Sequence, residues 1–197
     1  PGFSFGRKEK KMGIRASSTR ELIFRNCLVP EENMIGKEGM GFIMTMRLLD
    51  RSRPGVGAQA VGLAQGALEA AVDYARKRVQ FGHPIISLPV VQDMLANMAI
   101  QVEAARLLVY AAARTIDSGA KSFTEESAMA KVFASDTAMK VTTDAVQIFG
   151  GAGYMKDYPI EKMMRDAKIT QIYEGSNQVL RNAIAFELRK RKGRRRE

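Results

Sequence analysis

A carboxylate, a glycine and a hydroxyl stand together at Glu174-Gly175-Ser176, within the stretch Ile172-Tyr173-Glu174-Gly175-Ser176-Asn177-Gln178. The glycine lets the backbone approach a ligand closely. Ser176 is a natural cap for a helix starting near Asn177, and a helix start offers free N–H groups. By spacing alone this is a loop acid at the positive end of a helix, where a negative charge is favourable in any case. Asp50 and Arg53 lie three residues apart and share a helix face, which predicts a weak surface ion pair. The single histidine, His83, has no serine or cysteine partner pattern, and no metal-ligand spacing occurs. Gly150-Gly151-Ala152-Gly153 lacks the spacing and the preceding strand of a dinucleotide fingerprint. It reads either as a helix stop or as bare backbone for a phosphate or adenine.

Helices must carry these groups. From about Gly41 to Arg78 an apolar stripe runs through Val56, Ala60, Leu63, Ala67, Ala70 and Tyr74 at helical spacing. Pro54 lies inside it and predicts a kink or a late start. The second stripe is the cleanest: Val91, Leu95, Met98, Val102, Ala105, Val109, Ala112 and Ile116, with Ser87 as N-cap and Gly119 as stop. A third helix opens on Ser122-Phe123-Thr124-Glu125, a capping-box pattern, and continues through Ala128, Val132, Ser135, Met139, Thr142, Val146 and Phe149. Its small residues suggest close approach of a neighbour. A short helix near Glu161 to Lys168 and a last one from Asn177 follow. Short connections between long amphipathic helices predict an up-down bundle. Upstream, Arg20 to Arg25 and Cys27 to Pro30 read as extended, and Glu31 to Gly41 as loop. The fold class is therefore mainly α: a four-helix bundle preceded by a few β-strands of an incomplete β domain. The expected divisions are 1–38 for the β edge, 39–190 for the bundle and 191–197 for a basic tail.

The 197 residues suit one domain or one domain plus part of another. The hydrophobic fraction of 46% suffices for a packed core, yet no apolar run reaches the roughly 18 residues of a membrane span. Pro1 to Lys11 has no apolar stretch of the kind a secretory signal needs. One cysteine, Cys27, excludes an internal disulfide and a cysteine-based zinc site. The net charge of +10 invites a nucleic-acid reading, but most of it sits in the last nine residues, Arg189 to Glu197. No aromatic side chain lies there to stack on bases, and a basic tail alone binds in a salt-sensitive, sequence-blind way. No nucleic-acid partner, membrane span or metal is expected, and the expected location is the cytoplasm, a bacterial cytosol or a mitochondrial matrix.

Several longer motifs, in order, strongly resemble the C-terminal part of acyl-CoA dehydrogenases. They are Arg76-Lys77-Arg78-Val79-Gln80-Phe81-Gly82, Gln147-Ile148-Phe149-Gly150-Gly151-Ala152-Gly153-Tyr154, Tyr158-Pro159-Ile160-Glu161-Lys162, Arg165-Asp166-Ala167-Lys168-Ile169 and Ile172 to Ser176. Leu22-Ile23-Phe24 through Val29-Pro30, Asn33 and Gly36 resemble the last strands of that family's middle β domain. A family member is about twice this long, so the resemblance implies a fragment or one half of a split enzyme, inactive alone.

The resemblance implies FAD-dependent oxidation of an acyl-CoA to the trans-2-enoyl-CoA. Glu174 falls on the base that removes the α-proton, and its own N–H would stabilise the thioester oxygen. A carboxylate suits this task because burial beside an apolar acyl chain raises its pKa toward neutrality. Gly175, Asp50 and Arg53 match substrate contacts. Arg78, Gln80 and Phe81 match a loop that contacts the FAD of a neighbouring subunit, Arg78 as a charge-assisted partner of the pyrophosphate. Gln147, Gly150 and Gly151 match its partner segment, while Ser176, Asn177 and Gln178 match FAD contacts beside the base. Shared cofactor sites imply a homo-oligomer, a dimer or a tetramer, and the implied acceptor is an electron-transferring flavoprotein. Some members place the base just before the arginine matching Arg53; here that position is Ser52. Where the family often has Phe-Gln this chain has Leu88-Pro89, so that glutamine contact is lacking. A non-catalytic oligomerisation or cofactor-edge module and an acyl-CoA oxidase are the alternatives.

Overall fold

The computed structural model describes residues 1–194, and side chains for residues 1–190. The basic tail expected at 191–197 thus lies outside the described residues, apart from the backbone of its first four.

Helix α1 (Gly41–Lys77) runs unbroken through Pro54, so the late start expected there does not occur. Pro54 withholds the N–H that the Asp50 carbonyl would accept. One lost hydrogen bond in 37 residues is outweighed by the burial of Ala60, Ala64, Ala67, Ala71 and Ala75, all fully enclosed. Helix α2 (Pro89–Asp117) buries Val91, Leu95, Met98, Val102, Ala105, Val109 and Ala112, as the stripe predicts. Its cap differs from expectation. Leu88 occupies the N-cap, Pro89 supplies the preset φ of the first turn, and Ser87 instead donates to the Pro84 carbonyl within a short 3-10 turn. Gly119 follows the helix in a left-handed conformation.

Helix α3 (Thr124–Phe149) is buried on most of its circumference, which makes it the central helix. Phe123, not Ser122, is the N-cap, without a side-chain bond of its own, and Thr124 donates its hydroxyl to Asp50. Ala130, Ala134, Ala138, Val141 and Ala145 form a fully buried edge of small side chains. Gly57 of α1 faces both Val109 and the Ala130 carbonyl, and Tyr74 stacks on Phe149 at 4.1 Å between centroids. Helices α1 and α3 therefore run side by side in the same direction, and α2 returns between them. After the short α4 (Gly151–Tyr154), α5 (Ile160–Thr170) descends beside α3, from Ile160 to Gln171, which reaches Asp136. Helix α6 (Asn177–Arg194) continues downward, with Leu180 packed on Ala128 and Val132. The fourth leg of the up-down bundle is thus two helices separated by a break at residues 171–176.

Strand β1 (Phe3–Phe5) pairs antiparallel with β2 (Leu22–Phe24), Phe3 opposite Phe24. Cys27 to Pro30 forms no strand; Pro30 cannot donate to a ladder and leads into a 3-10 turn at Glu31–Asn33. β3 (Val79–Gln80) and β4 (His83–Pro84) make a tight hairpin with Phe81 and Gly82 both at positive φ, the geometry of a two-residue type I′ turn.

Candidate active site at the break in the fourth leg

The break between α5 and α6 turns through two left-handed residues, Glu174 (φ +53°) and Gly175 (φ +100°). A glycine adopts this conformation freely, whereas a side chain there costs on the order of 1–3 kcal/mol. The strain persists because the turn is tied on every side. The Asn177 N–H closes it onto the Gln171 carbonyl at 3.1 Å. Arg53 of α1 donates through Nε to the Glu174 carbonyl at 3.1 Å. Lys131 of α3 donates through Nζ to the Gly175 carbonyl at 2.8 Å. Ser52 donates through Oγ to Glu174 Oε2 at 2.6 Å, fixing the carboxylate itself. Ser176 caps α6 with a long bond from the Val179 N–H, 3.4 Å. Among the described residues, the N–H groups of Glu174, Gly175 and Ser176 donate to no backbone acceptor.

Asp50 and Arg53 are more than a surface pair. Arg53 is buried, its Nη1 lies 2.5 Å from Asp50 Oδ1, and Thr124 donates to the other Asp50 oxygen at 2.6 Å. The pair forms a strut behind the Glu174 turn. Asn177, on the first turn of α6, is likewise committed inward. Its Oδ1 accepts from Lys131 at 2.9 Å, and its Nδ2 donates to Ser135 and Asp136, both at 2.8 Å. Gln178 is exposed beside it.

The sequence reading passed over Lys131, whose side chain is fully enclosed. One signal was present: a lone cation within Ala128-Met129-Ala130-Lys131-Val132-Phe133-Ala134, one turn from the buried Ala128 and Ser135. Burial first, and the Arg53 charge second, pull its pKa from 10.5 down to about 8, against the opposing pull of Asp136 and Glu174. A folded pKa below the unfolded one means that the unfolded chain binds the extra proton between about pH 8 and 10.5. Stability contributed by this group therefore rises with pH across that window and is least below it. The rise is expected to reach no more than about 3 kcal/mol. Urea unfolding of the chain and of Lys131→Met at both ends of the window checks it: the variant should lack the rise.

The second group of sequence candidates lies about 37 Å further along α1, at the usual helical rise over the 25 residues from Arg53 to Arg78. Arg78, Gln80, Gly150 and Gly151 line one cleft of about 370 Å³, walled by Tyr74 and Phe149. Gly150 holds φ +62° and ψ −138°, a conformation open to glycine, and a Cβ at Gly150 or Gly151 would meet nothing within 4 Å. Phe81, 86% exposed at the hairpin tip, and the exposed Gln147 are not among the lining residues. His83 stands on the same hairpin, exposed. Among the described residues, no cluster of His, Cys, Asp or Glu could hold a metal ion, and no helix is long and apolar enough to cross a membrane.

The helical bundle agrees with what comparison with known proteins finds. The family described as acyl-CoA dehydrogenase, C-terminal domain, matches residues 39–188, and the chain belongs to the acyl-CoA dehydrogenase family. It is 57% identical over 187 residues to the probable acyl-CoA dehydrogenase FadE25 of Mycobacterium tuberculosis, covering 95% of this chain and 48% of that protein. Butyryl-CoA dehydrogenase from Megasphaera elsdenii superposes with a TM-score of 0.94 at 54% identity, covering 95% of this chain and 49% of that one. An acyl-CoA dehydrogenase complexed with FAD from Bacillus anthracis superposes with a TM-score of 0.92 at 37% identity, covering 98% and 36%. The chain spans about half the length of the curated relatives it matches.

Proposed function

We propose that this chain supplies the proton-accepting half of an FAD-dependent acyl-CoA dehydrogenase that forms the trans-2-enoyl-CoA. The observation that carries this reading is the Glu174 carboxylate, clamped by Ser52 at a strained break between two helices, with its own N–H free of backbone partners. Glu174 takes the α-proton of the bound thioester. Its N–H, and the glycine beside it, face the thioester oxygen as charge develops there. Ser52 holds the carboxylate in one orientation, so less of the encounter is lost to rotation. The Asp50–Arg53 strut keeps the Glu174 carbonyl in place behind the substrate. When bound, the flavin supplies the acceptor for the β-hydride.

The fit to FAD is supported at the second cleft. A guanidinium, a carboxamide and two glycines with open faces suit a diphosphate. There Arg78, Gln80, Gly150 and Gly151 would hold the cofactor, with Phe81 and Gln147 at the margin. Ser176 and Gln178 would approach it beside Glu174, while Asn177 contributes by fixing the turn. The distance between the two groups supports cofactor sharing within a homo-oligomer. An electron-transferring flavoprotein would take the electrons. Residues 1–38 would belong to the edge of a β domain and 39–190 to the bundle, in a protein of the cytoplasm.

Anaerobic mixing of the flavin-loaded whole enzyme, this chain together with the remainder of the protein, with a series of acyl-CoA thioesters of increasing length is the test. Bleaching of the visible flavin band by at least one of them is expected. No bleaching by any, with flavin bound stoichiometrically, would overturn the reading.

A further inference from the structure

We propose that Lys131 is a positioning residue for Glu174: from inside the bundle it ties down the Gly175 carbonyl and thereby fixes how the turn presents its carboxylate and N–H groups. This rests on the reading of Glu174 as proton acceptor.

The first support is the environment of Lys131. It is the largest fully enclosed side chain of the chain's described residues, and its two acceptors are neutral oxygens, the Gly175 carbonyl and Asn177 Oδ1. Enclosing an ammonium without a directly bonded carboxylate is costly. A side chain needed only for packing would be served by methionine, of similar length and without that cost. What the amine adds is the bond to Gly175. The depressed pKa agrees with this account, because a neutral amine still has two N–H groups for the same two acceptors.

The second support is the geometry of the turn. Every peptide bond among the described residues is trans, so a carbonyl and the following N–H point in opposite directions. With the Glu174 carbonyl held by Arg53, the Gly175 N–H is sent away from α1. With the Gly175 carbonyl held by Lys131, the Ser176 N–H is sent away from α3. Two cations from two parallel helices thus set both peptide planes of a turn that the chain would otherwise not adopt at Glu174. Asn177, Ser135 and Asp136 complete the anchorage, and Gln171 joins it by donating to Asp136 at 2.6 Å. Both ends of the break are therefore referred to the same stretch of α3.

Amide hydrogen exchange on the full chain tests this without any flavin. The reporter is the Asn177 N–H, which closes the turn onto Gln171. In Lys131→Met its exchange is expected to accelerate at least tenfold relative to the buried amides of Ala138 and Val141 on α3. Val102→Ala, a core truncation on α2, should speed all of these together. Lys131→Gln, which keeps a donor one bond shorter, should recover part of the selective protection. In the flavin-loaded enzyme, Lys131→Met is expected to lower the limiting rate of flavin reduction at least tenfold, with acyl-CoA affinity changed less than threefold. Equal relative exchange in wild type and Lys131→Met overturns the proposal. If the methionine variant does not fold, Lys131→Gln is held to the intermediate result, and wild-type exchange in it overturns the proposal equally. Failure of the Glu174 reading is distinct: acyl-CoA would not reduce the flavin in wild type, while the exchange contrast would stand.

Discussion

Glu174→Gln in the flavin-loaded enzyme is expected to slow flavin reduction by saturating acyl-CoA by about 10²–10⁴-fold, the usual contribution of a positioned general base. Glutamine keeps the volume of the side chain, and its carbonyl oxygen can still accept the Ser52 hydroxyl. The left-handed turn, the Arg53 bond to the main-chain carbonyl and the Lys131 bond to Gly175 do not involve the carboxylate. Acyl-CoA affinity should therefore change by less than about threefold, so that the loss falls on the chemical step and not on binding. Rapid mixing followed at the flavin band, with equilibrium titration by a non-reducing analogue, measures both. Undiminished reduction would remove Glu174 from the role.

The largest effect on stability is expected at Arg53. Arg53→Met should lower the free energy of unfolding by about 3–5 kcal/mol, as when one partner of a buried ion pair is removed. Domains of this kind hold only about 5–15 kcal/mol in total. Two acceptors would lose their donor, the Glu174 carbonyl and Asp50 Oδ1, and the former sits in an already strained turn. Asp50→Asn should cost less, about 1 kcal/mol, because an amide oxygen still accepts and Asp50 is the more exposed partner. Urea denaturation of both variants checks the order. A loss below 1 kcal/mol for Arg53→Met would show that the strut carries little.

The helices were legible because their signal is periodic: the α2 stripe from Val91 to Ala112 is buried in the structure residue for residue. The caps were less so. Ser87 and Ser122 have the right chemistry for N-caps, yet Leu88 and Phe123 take those places, with Pro89 opening α2 and Thr124 donating to Asp50. Phe3–Phe5 was missed because an alternation of three residues is too short to read, and their strand is defined by a partner 17 to 21 positions away. At the site, the motif stretch pointed to Glu174, but not to what holds it. Ser52 and Lys131 lie 122 and 43 residues upstream, and only the packing of α1 and α3 beside the break brings them to it. The Asp50–Arg53 spacing was visible, but the burial that turns an ordinary helix pair into a strut was not.

The hydrogen bond from Ser52 to Glu174 also says where the two side chains meet. A side chain two residues before Pro54 on α1 and a side chain on the break of the fourth leg reach the same point in space. On the reading proposed above, that point is where the proton is received. A carboxylate at position 52 of the long first helix would then reach the place that Glu174 reaches from the late turn. Two stretches of sequence 122 residues apart thus address one point in space, and the chemistry belongs to that point more than to either stretch.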